Sequence, residues 1–240
     1  MAERDEIKAL VFDVFGTLVD WRNGVAREAE LFLDRHAPGL DPFEFADAWR
    51  REYSPAMEEV RSGRRPYVRL DVLHRENLVK VLDRHGITGV ADAQIDALNL
   101  AWHRLDPWPD TVEALYRLKR RFIIAPLSNS NIRLMVDMAR RADLPWDAIL
   151  GAEVVRAYKP SPQVYRETAE ILGLAPAELC LVAAHNGDLA AARRLGLSMA
   201  FVARTTEHGA HQKTDLKAEQ AWDFVVDDLL ELAEQLGCAQ

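Results

Sequence analysis

The chain has 240 residues, 49% hydrophobic and 28% charged, a globular composition that excludes a disordered or fibrous protein. Its formal net charge of −8 argues against a nucleic-acid partner, which needs a basic face, but leaves room for a small anion held by a local Arg or Lys. Two cysteines, Cys180 and Cys238, make no disulfide framework. No apolar run approaches the ~20 residues of a membrane span and the N-terminal stretch has no apolar signal core, so a cytoplasmic protein with no membrane partner is expected.

In chain order, residues 9–15 form an apolar run broken only by Asp13, the pattern of a strand buried on both faces. Gly16–Thr17–Leu18 ends it, and no second strand signal follows for about ninety residues. Helical patterns occupy that interval at 25–36, 42–61, 69–85 and 93–105, and Asp106–Pro107–Trp108–Pro109 reads as a return linker. Beyond it strands and helices alternate. Strands are predicted at 122–127, 148–155, 179–184, 198–202 and 224–226, and helices at 110–120, 131–142, 161–172 and 188–195, with Gly173 and Gly196 where helix stops would fall. Alternation of this kind predicts an α/β, doubly wound, Rossmann-like parallel sheet. The helical interval predicts an α-helical cap, residues 19–107, inserted into a core made of residues 1–18 and 108–240.

Ligands of doubly wound sheets bind at the carboxyl ends of the strands. Four polar groups fall there: Asp13, Ser128–Asn129, Tyr158–Lys159–Pro160 and His185 to Asp188. Any one alone reads as a loop residue or helix cap, but four converging on one crevice point to a site.

The segments FDVFGTLVD, LSNSN, YKPSPQVY and LVAAHNGDLAAARRLG resemble, in order and spacing, the four motifs of the haloacid dehalogenase superfamily, and they extend over nearly the whole chain. The resemblance implies a Rossmann-like core under a helical cap, with Asp13 as nucleophile. Superfamily phosphatases carry a second Asp, the general acid, where this chain has Phe15. They also carry an acidic metal ligand where it has Ala184; the tail AAARRLG aligns Asp188 with the last acidic position. Without those groups a phosphoryl dianion lacks its compensating charge. The pattern resembles instead the type II 2-haloacid dehalogenases, which implies hydrolysis of a short 2-halo carboxylic acid to the 2-hydroxy acid through an ester on Asp13, with no metal and no cofactor. Similar proteins are often homodimers, which is analogy only. The rival readings are a magnesium-dependent phosphatase of the same fold and a non-catalytic binding protein built on it.

Within that reading Lys159 keeps Asp13 ionised, Thr17 fixes the Asp13 loop, and Ser128 and Asn129 hold the substrate carboxylate or the halide. Asp188 orients or deprotonates the hydrolytic water. Arg50, in a Trp49–Arg50 pair followed by Tyr53, reaches over the site from the cap as an anion clamp, in preference to its neighbour Arg51. Phe15, Trp21, Tyr158 and Tyr165 are expected to line the pocket. His185 stands where the family often shows a water-positioning Asn.

Overall fold

The computed structural model describes residues 6–238. The apolar run near the N-terminus forms β1 (Ala9–Phe12), every residue of which is buried. Five helices follow it before the chain returns to the sheet region: α1 (Trp21–His36), α2 (Pro42–Arg51), α3 (Tyr53–Arg61), α4 (Leu70–Arg84) and α5 (Asp92–Asn99), the last continued by a 3-10 turn over Leu100–His103. The chain leaves and re-enters the sheet at one place. The Trp108 amide donates to the Leu18 carbonyl at 2.9 Å, the Asp20 amide to the Asp106 carbonyl at 3.0 Å, and Val19 bridges Pro107.

The remainder alternates as expected: α6 (Thr111–Lys119), β2 (Ile123–Ser128), α7 (Ile132–Ala142), β3 (Leu150–Gly151), α8 (Ala152–Val155), α9 (Pro162–Leu172), β4 (Leu179–Ala183), α10 (Asn186–Arg193), β5 (Ser198–Val202), β6 (Phe224–Val226) and α11 (Leu229–Gln235). All six strands are parallel, in the order β3-β2-β1-β4-β5-β6. β1 is therefore central and carries its C-terminal residue to the middle of the sheet edge. The order reverses direction at β1, the topological switch point where such sheets bind ligands.

Three local expectations are corrected. The predicted strand at 148–155 pairs only over Leu150–Gly151, because Gly151 (φ +125°) turns the chain into α8; a Cβ there would lie 2.3 Å from the Ser128 carbonyl oxygen. The predicted helix at 42–61 divides at Glu52, where Pro55 in the first turn of α3 has no N–H for the Arg51 carbonyl. α11 was not predicted, although Asp228 accepts from the Glu231 amide in an Asp-x-x-Glu start signal.

One buried apolar body joins the two parts of the molecule. It runs from Leu10 and Phe12 of β1 through Phe15, Trp21 and Trp102 into Trp49, Leu73 and Leu78 of the inserted helices. The opposite face of the sheet is covered separately, with Val164 and Tyr165 of α9 and Leu189 of α10 packed on Val11, Leu181 and Phe201.

Candidate active site

Asp13 follows β1 directly and is almost fully buried. Its Oδ1 accepts from Lys159 Nζ at 2.8 Å. Its Oδ2 accepts from Thr17 Oγ1 at 2.8 Å and faces His185 Nδ1 at 3.0 Å. Burial opposes the charge on Asp13, but the Lys159 ammonium and His185 outweigh it and hold the carboxyl far below the usual carboxylate range. Lys159 is equally buried. Desolvation works against its charge, yet Asp13 and Asp188, the latter at 2.5 Å, raise it above an ordinary lysine. The result is a carboxylate that stays ionised in a nearly dry site.

The loop after β1 is rigid for identifiable reasons. Thr17 Oγ1 also accepts the Ala184 amide at 2.9 Å. Arg204, paired through both terminal nitrogens with Asp110, donates from Nε to the Thr17 carbonyl at 2.9 Å. Gly16 holds φ +84°, and a Cβ on it would collide with the Glu207 carboxylate at 2.1 Å, so only glycine fits.

A cavity of about 320 Å³ opens in front of Asp13. The loops at the strand ends supply Asp13, Phe15, Asn129, Lys159, His185 and Asp188 to its wall; α2 and α3 supply Arg50, Tyr53, Ser54, Met57 and Arg61. Asn129 Oδ1 accepts the Lys159 amide at 2.7 Å, which holds this lining residue against the Lys159 loop. The Arg50 guanidinium lies 4.1 Å from the Tyr53 ring centroid, and its Nη1 is buried with no hydrogen-bond partner among the described residues. A buried unpaired N–H on a cation is costly and fits an incoming anion.

Several residues expected at the pocket wall lie elsewhere. Ser128 is fully buried behind Asn129, its Oγ accepting the Ser130 amide at 3.2 Å. Tyr165 donates to Asp188 Oδ1 at 2.6 Å from beneath. Tyr158 donates to the Val68 carbonyl at 2.8 Å and ties the core to the cap. Trp21 sits one layer back, stacked on Trp102, and donates from Nε1 to Glu207 Oε1 at 2.9 Å. Asp188 lies within the first turn of α10, so it is not the N-cap residue; that position is His185.

Two residues were missed. Arg61 donates to the Lys159 carbonyl at 3.1 Å. The signal for it was present: residues 50, 53, 54, 57 and 61 recur at helical spacing on one face. Glu207, only 1% exposed, accepts His185 Nε2 at 2.9 Å. Glu207 belongs to no motif and lies in the long connection between β5 and β6, so no local pattern marks it.

Residues 7–196 match the family model of haloacid dehalogenase-like hydrolases. The chain is 31% identical to an (S)-2-haloacid dehalogenase of Xanthobacter autotrophicus, over 84% of this chain and 77% of that protein. It superposes with a TM-score of 0.94 on the crystal structure of a defluorinating L-2-haloacid dehalogenase, at 48% identity, covering 96% of this chain and 95% of that one. An L-2-haloacid dehalogenase from X. autotrophicus with covalently bound chloropropionic acid superposes with a TM-score of 0.80 at 27% identity, over 96% and 98% of the two chains. The chain belongs to the haloacid dehalogenase-like hydrolase family.

Proposed function

We propose that this protein hydrolyses the carbon–halogen bond of short (S)-2-halo carboxylic acids, with Asp13 as the covalent nucleophile. The observation that carries the reading is the position of the Lys159 ammonium between Asp13 and Asp188, at 2.8 and 2.5 Å. A protein cation fills the space between the two carboxylates and supplies, without a metal, the charge that keeps Asp13 a nucleophile. The relatives named as (S)-2-haloacid dehalogenases support the substrate class.

The helices of residues 19–107 act as the cap. Arg50 and the Asn129 amide hold the substrate carboxylate and receive the halide, with Phe15, Tyr53 and Met57 as the apolar wall around the reacting carbon. An Asp13 oxygen attacks C2 in line, the C–X electron pair leaves with the halide, and an alkyl ester remains. Water then attacks the ester carbonyl, so C2 is inverted once and not touched again. The substrate is a small anion, and the strongly acidic balance of the whole chain does not prevent its capture, because Arg50, Arg61 and Lys159 set the local charge.

The deciding assay is halide release from chloroacetate and the two enantiomers of 2-chloropropionate, with EDTA present. The expected result is halide from chloroacetate and from the (S) enantiomer, which gives (R)-lactate. Release that stops in EDTA, or phosphate release from phosphate esters in its place, would return the site to the phosphatase reading. No turnover of either kind would leave the binding-protein reading.

A further inference from the structure

Resting on the dehalogenase reading, we infer that His185 is the base of the hydrolytic half-reaction and that Glu207 is the positioning residue that makes it one. The observation is the chain Asp13–His185–Glu207, in which both imidazole nitrogens are committed, Nδ1 to Asp13 Oδ2 at 3.0 Å and Nε2 to Glu207 Oε2 at 2.9 Å. His185 also lines the cavity in front of Asp13, with 26% of its side chain exposed.

Asp188, the other candidate base, is occupied. Lys159 Nζ donates to its Oδ2 at 2.5 Å and the Tyr165 hydroxyl to its Oδ1 at 2.6 Å. Both of its oxygens therefore already accept from protein donors, one of them the ammonium that also holds Asp13. Its work is to hold Lys159.

Glu207 is built into place. Trp21 Nε1 donates to its Oε1, and the absence of a side chain at Gly16 leaves the space its carboxylate fills. The titratable and charged groups around the imidazole are Asp13, Glu207, His208 at 3.6 Å from Glu207, and Arg50 of α2, with Lys159 and Asp188 across the cavity. Glu207 fixes the tautomer: it can only accept, so Nε2 keeps its hydrogen and Nδ1 is the nitrogen that exchanges a proton.

The protons balance as follows. In the free enzyme His185 lies between two carboxylates and is an imidazolium; burial opposes the charge, but Glu207 and Asp13 hold its pKa well above the ordinary value. Alkylation turns Asp13 into a neutral ester and removes one of those two charges. The Nδ1 proton then leaves to solvent, accompanying the halide. Water adds to the ester carbonyl and gives a proton to Nδ1. When the tetrahedral adduct collapses, the C–O bond to the product breaks and the departing alkoxide takes that proton. The carboxylic acid left on Asp13 returns its own proton to Nδ1, restoring carboxylate and imidazolium. The sum is halo acid plus water to hydroxy acid, halide and one proton. Alkylation thus itself switches the base on.

The test is rapid-quench kinetics with (S)-2-chloropropionate. Glu207→Gln presents an amide N–H to Nε2 and disfavours the working tautomer. It should keep a burst of one chloride per active site while steady turnover falls about 10²-fold, the usual worth of a general base. The quenched protein should carry the alkyl group on the Asp13 peptide. Glu207→Asp, which keeps the carboxylate, should recover part of the turnover. Because Glu207 is buried, His185→Ala, at a position that lines the cavity, makes the same test without disturbing the Trp21 layer; it too should release one chloride and stall as the ester. Loss of the burst in step with turnover, or wild-type turnover in either variant, would overturn the assignment. Absence of chloride from the unmodified protein would overturn the dehalogenase reading on which it rests.

Discussion

Asp13 stays charged in a nearly dry site because an ammonium lies 2.8 Å from one of its oxygens and an imidazolium 3.0 Å from the other. The sign of the consequence follows. Its pKa is depressed in the folded protein, so the pairing stabilises the fold above the ordinary carboxylate pKa and is lost as pH falls through the folded value. Lys159→Met leaves Asp13 and Asp188 buried beside each other, and breaking such a pair typically costs about 3–5 kcal/mol. We expect turnover to fall by roughly 10²–10³-fold, as when a fixed stabilising charge is removed from a transition state. We also expect the variant to regain thermal stability on mild acidification without regaining activity, since a protonated Asp13 is comfortable but not nucleophilic. Circular dichroism melts and halide assays over pH 4–8 decide; activity recovering together with stability would show that Lys159 serves the fold alone. For the nucleophile itself, single-turnover hydrolysis in heavy-oxygen water should place the label in the Asp13 carboxylate and leave the first product molecule unlabelled. Label in that first product would mean that water attacks C2 directly.

At the scale of elements, the inserted helices present the site as a stripe. Arg50, Tyr53, Ser54, Met57 and Arg61 face the cavity, while Arg51 does not touch the one in front of Asp13. Arg50→Ala should therefore cost about 10²-fold in kcat/KM or more and Arg51→Ala less than about twofold; the reverse ranking would mean that the helix face has been misassigned. A second element-scale contact lies away from the chemistry. His103, at the end of the inserted helices, is 4% exposed and is held between Asp71 of α4, at 3.0 Å, and Asp137 of α7, at 2.9 Å. Burial works against its charge but the two carboxylates outweigh it, so its pKa is raised. A raised histidine stabilises below its ordinary pKa and loses that contribution as pH climbs through the folded value. Hydrogen bonds to charged groups contribute about 1.5–3 kcal/mol, and each kcal/mol moves the melting temperature of a chain this size by about 2–4 °C. The unmodified protein should lose several degrees relative to His103→Asn between pH 6 and pH 9; parallel curves would show that His103 does not change charge in that range.

These two element-scale cases mark how far the sequence could be read. The apolar runs identified four of the six strands of the described residues to within a residue at each end, because burial on both faces leaves no other pattern; β1 ends at Phe12, three residues before its run does. β3 escaped because only Leu150–Gly151 pairs, and a run of eight apolar-rich residues does not reveal a glycine turn into a helix. Asp13, Lys159, Asp188 and Asn129 were legible because the loop after each strand is short and its chemistry sits beside the strand end. Trp21, Tyr158 and Tyr165 were placed correctly along the chain but not in depth, since proximity to a motif does not say which layer a ring occupies. Glu207 was invisible. It meets His185 only through the tertiary path of the β5–β6 connection, which carries no periodicity of its own.

At the scale of the whole molecule, the cavity lies where α2 and α3 meet the carboxyl end of the sheet, and one apolar body runs continuously behind its wall. Phe15 is held edge-on by Trp102, His74 and Tyr53, with centroids 5.7, 6.3 and 6.5 Å away. His74 is itself fully buried and stacked on Trp102; burial lowers its pKa to about 3, so it adds an uncharged ring to that wall. A wall of this kind yields little to a bulky substituent on C2, and it sets an apolar ring beside the nucleophile. Both properties favour fluoride, the smallest halide and the poorest leaving group, whose departure needs strong donors in a site with little water. The unpaired buried Nη1 of Arg50 is such a donor, and Asn129 lines the same cavity. We therefore expect fluoride release from fluoroacetate well above background, measured with a fluoride electrode. Phe15→Ala, which empties the wall beside the nucleophile, should cost more defluorination than dechlorination, because the stronger bond depends more on exclusion of water. Hydrolysis of chloroacetate with fluoride at background over hours would remove fluoro acids from the substrate class and leave the chloro and bromo acids. Equal losses on both substrates in Phe15→Ala would show that the ring fills space without governing the halide.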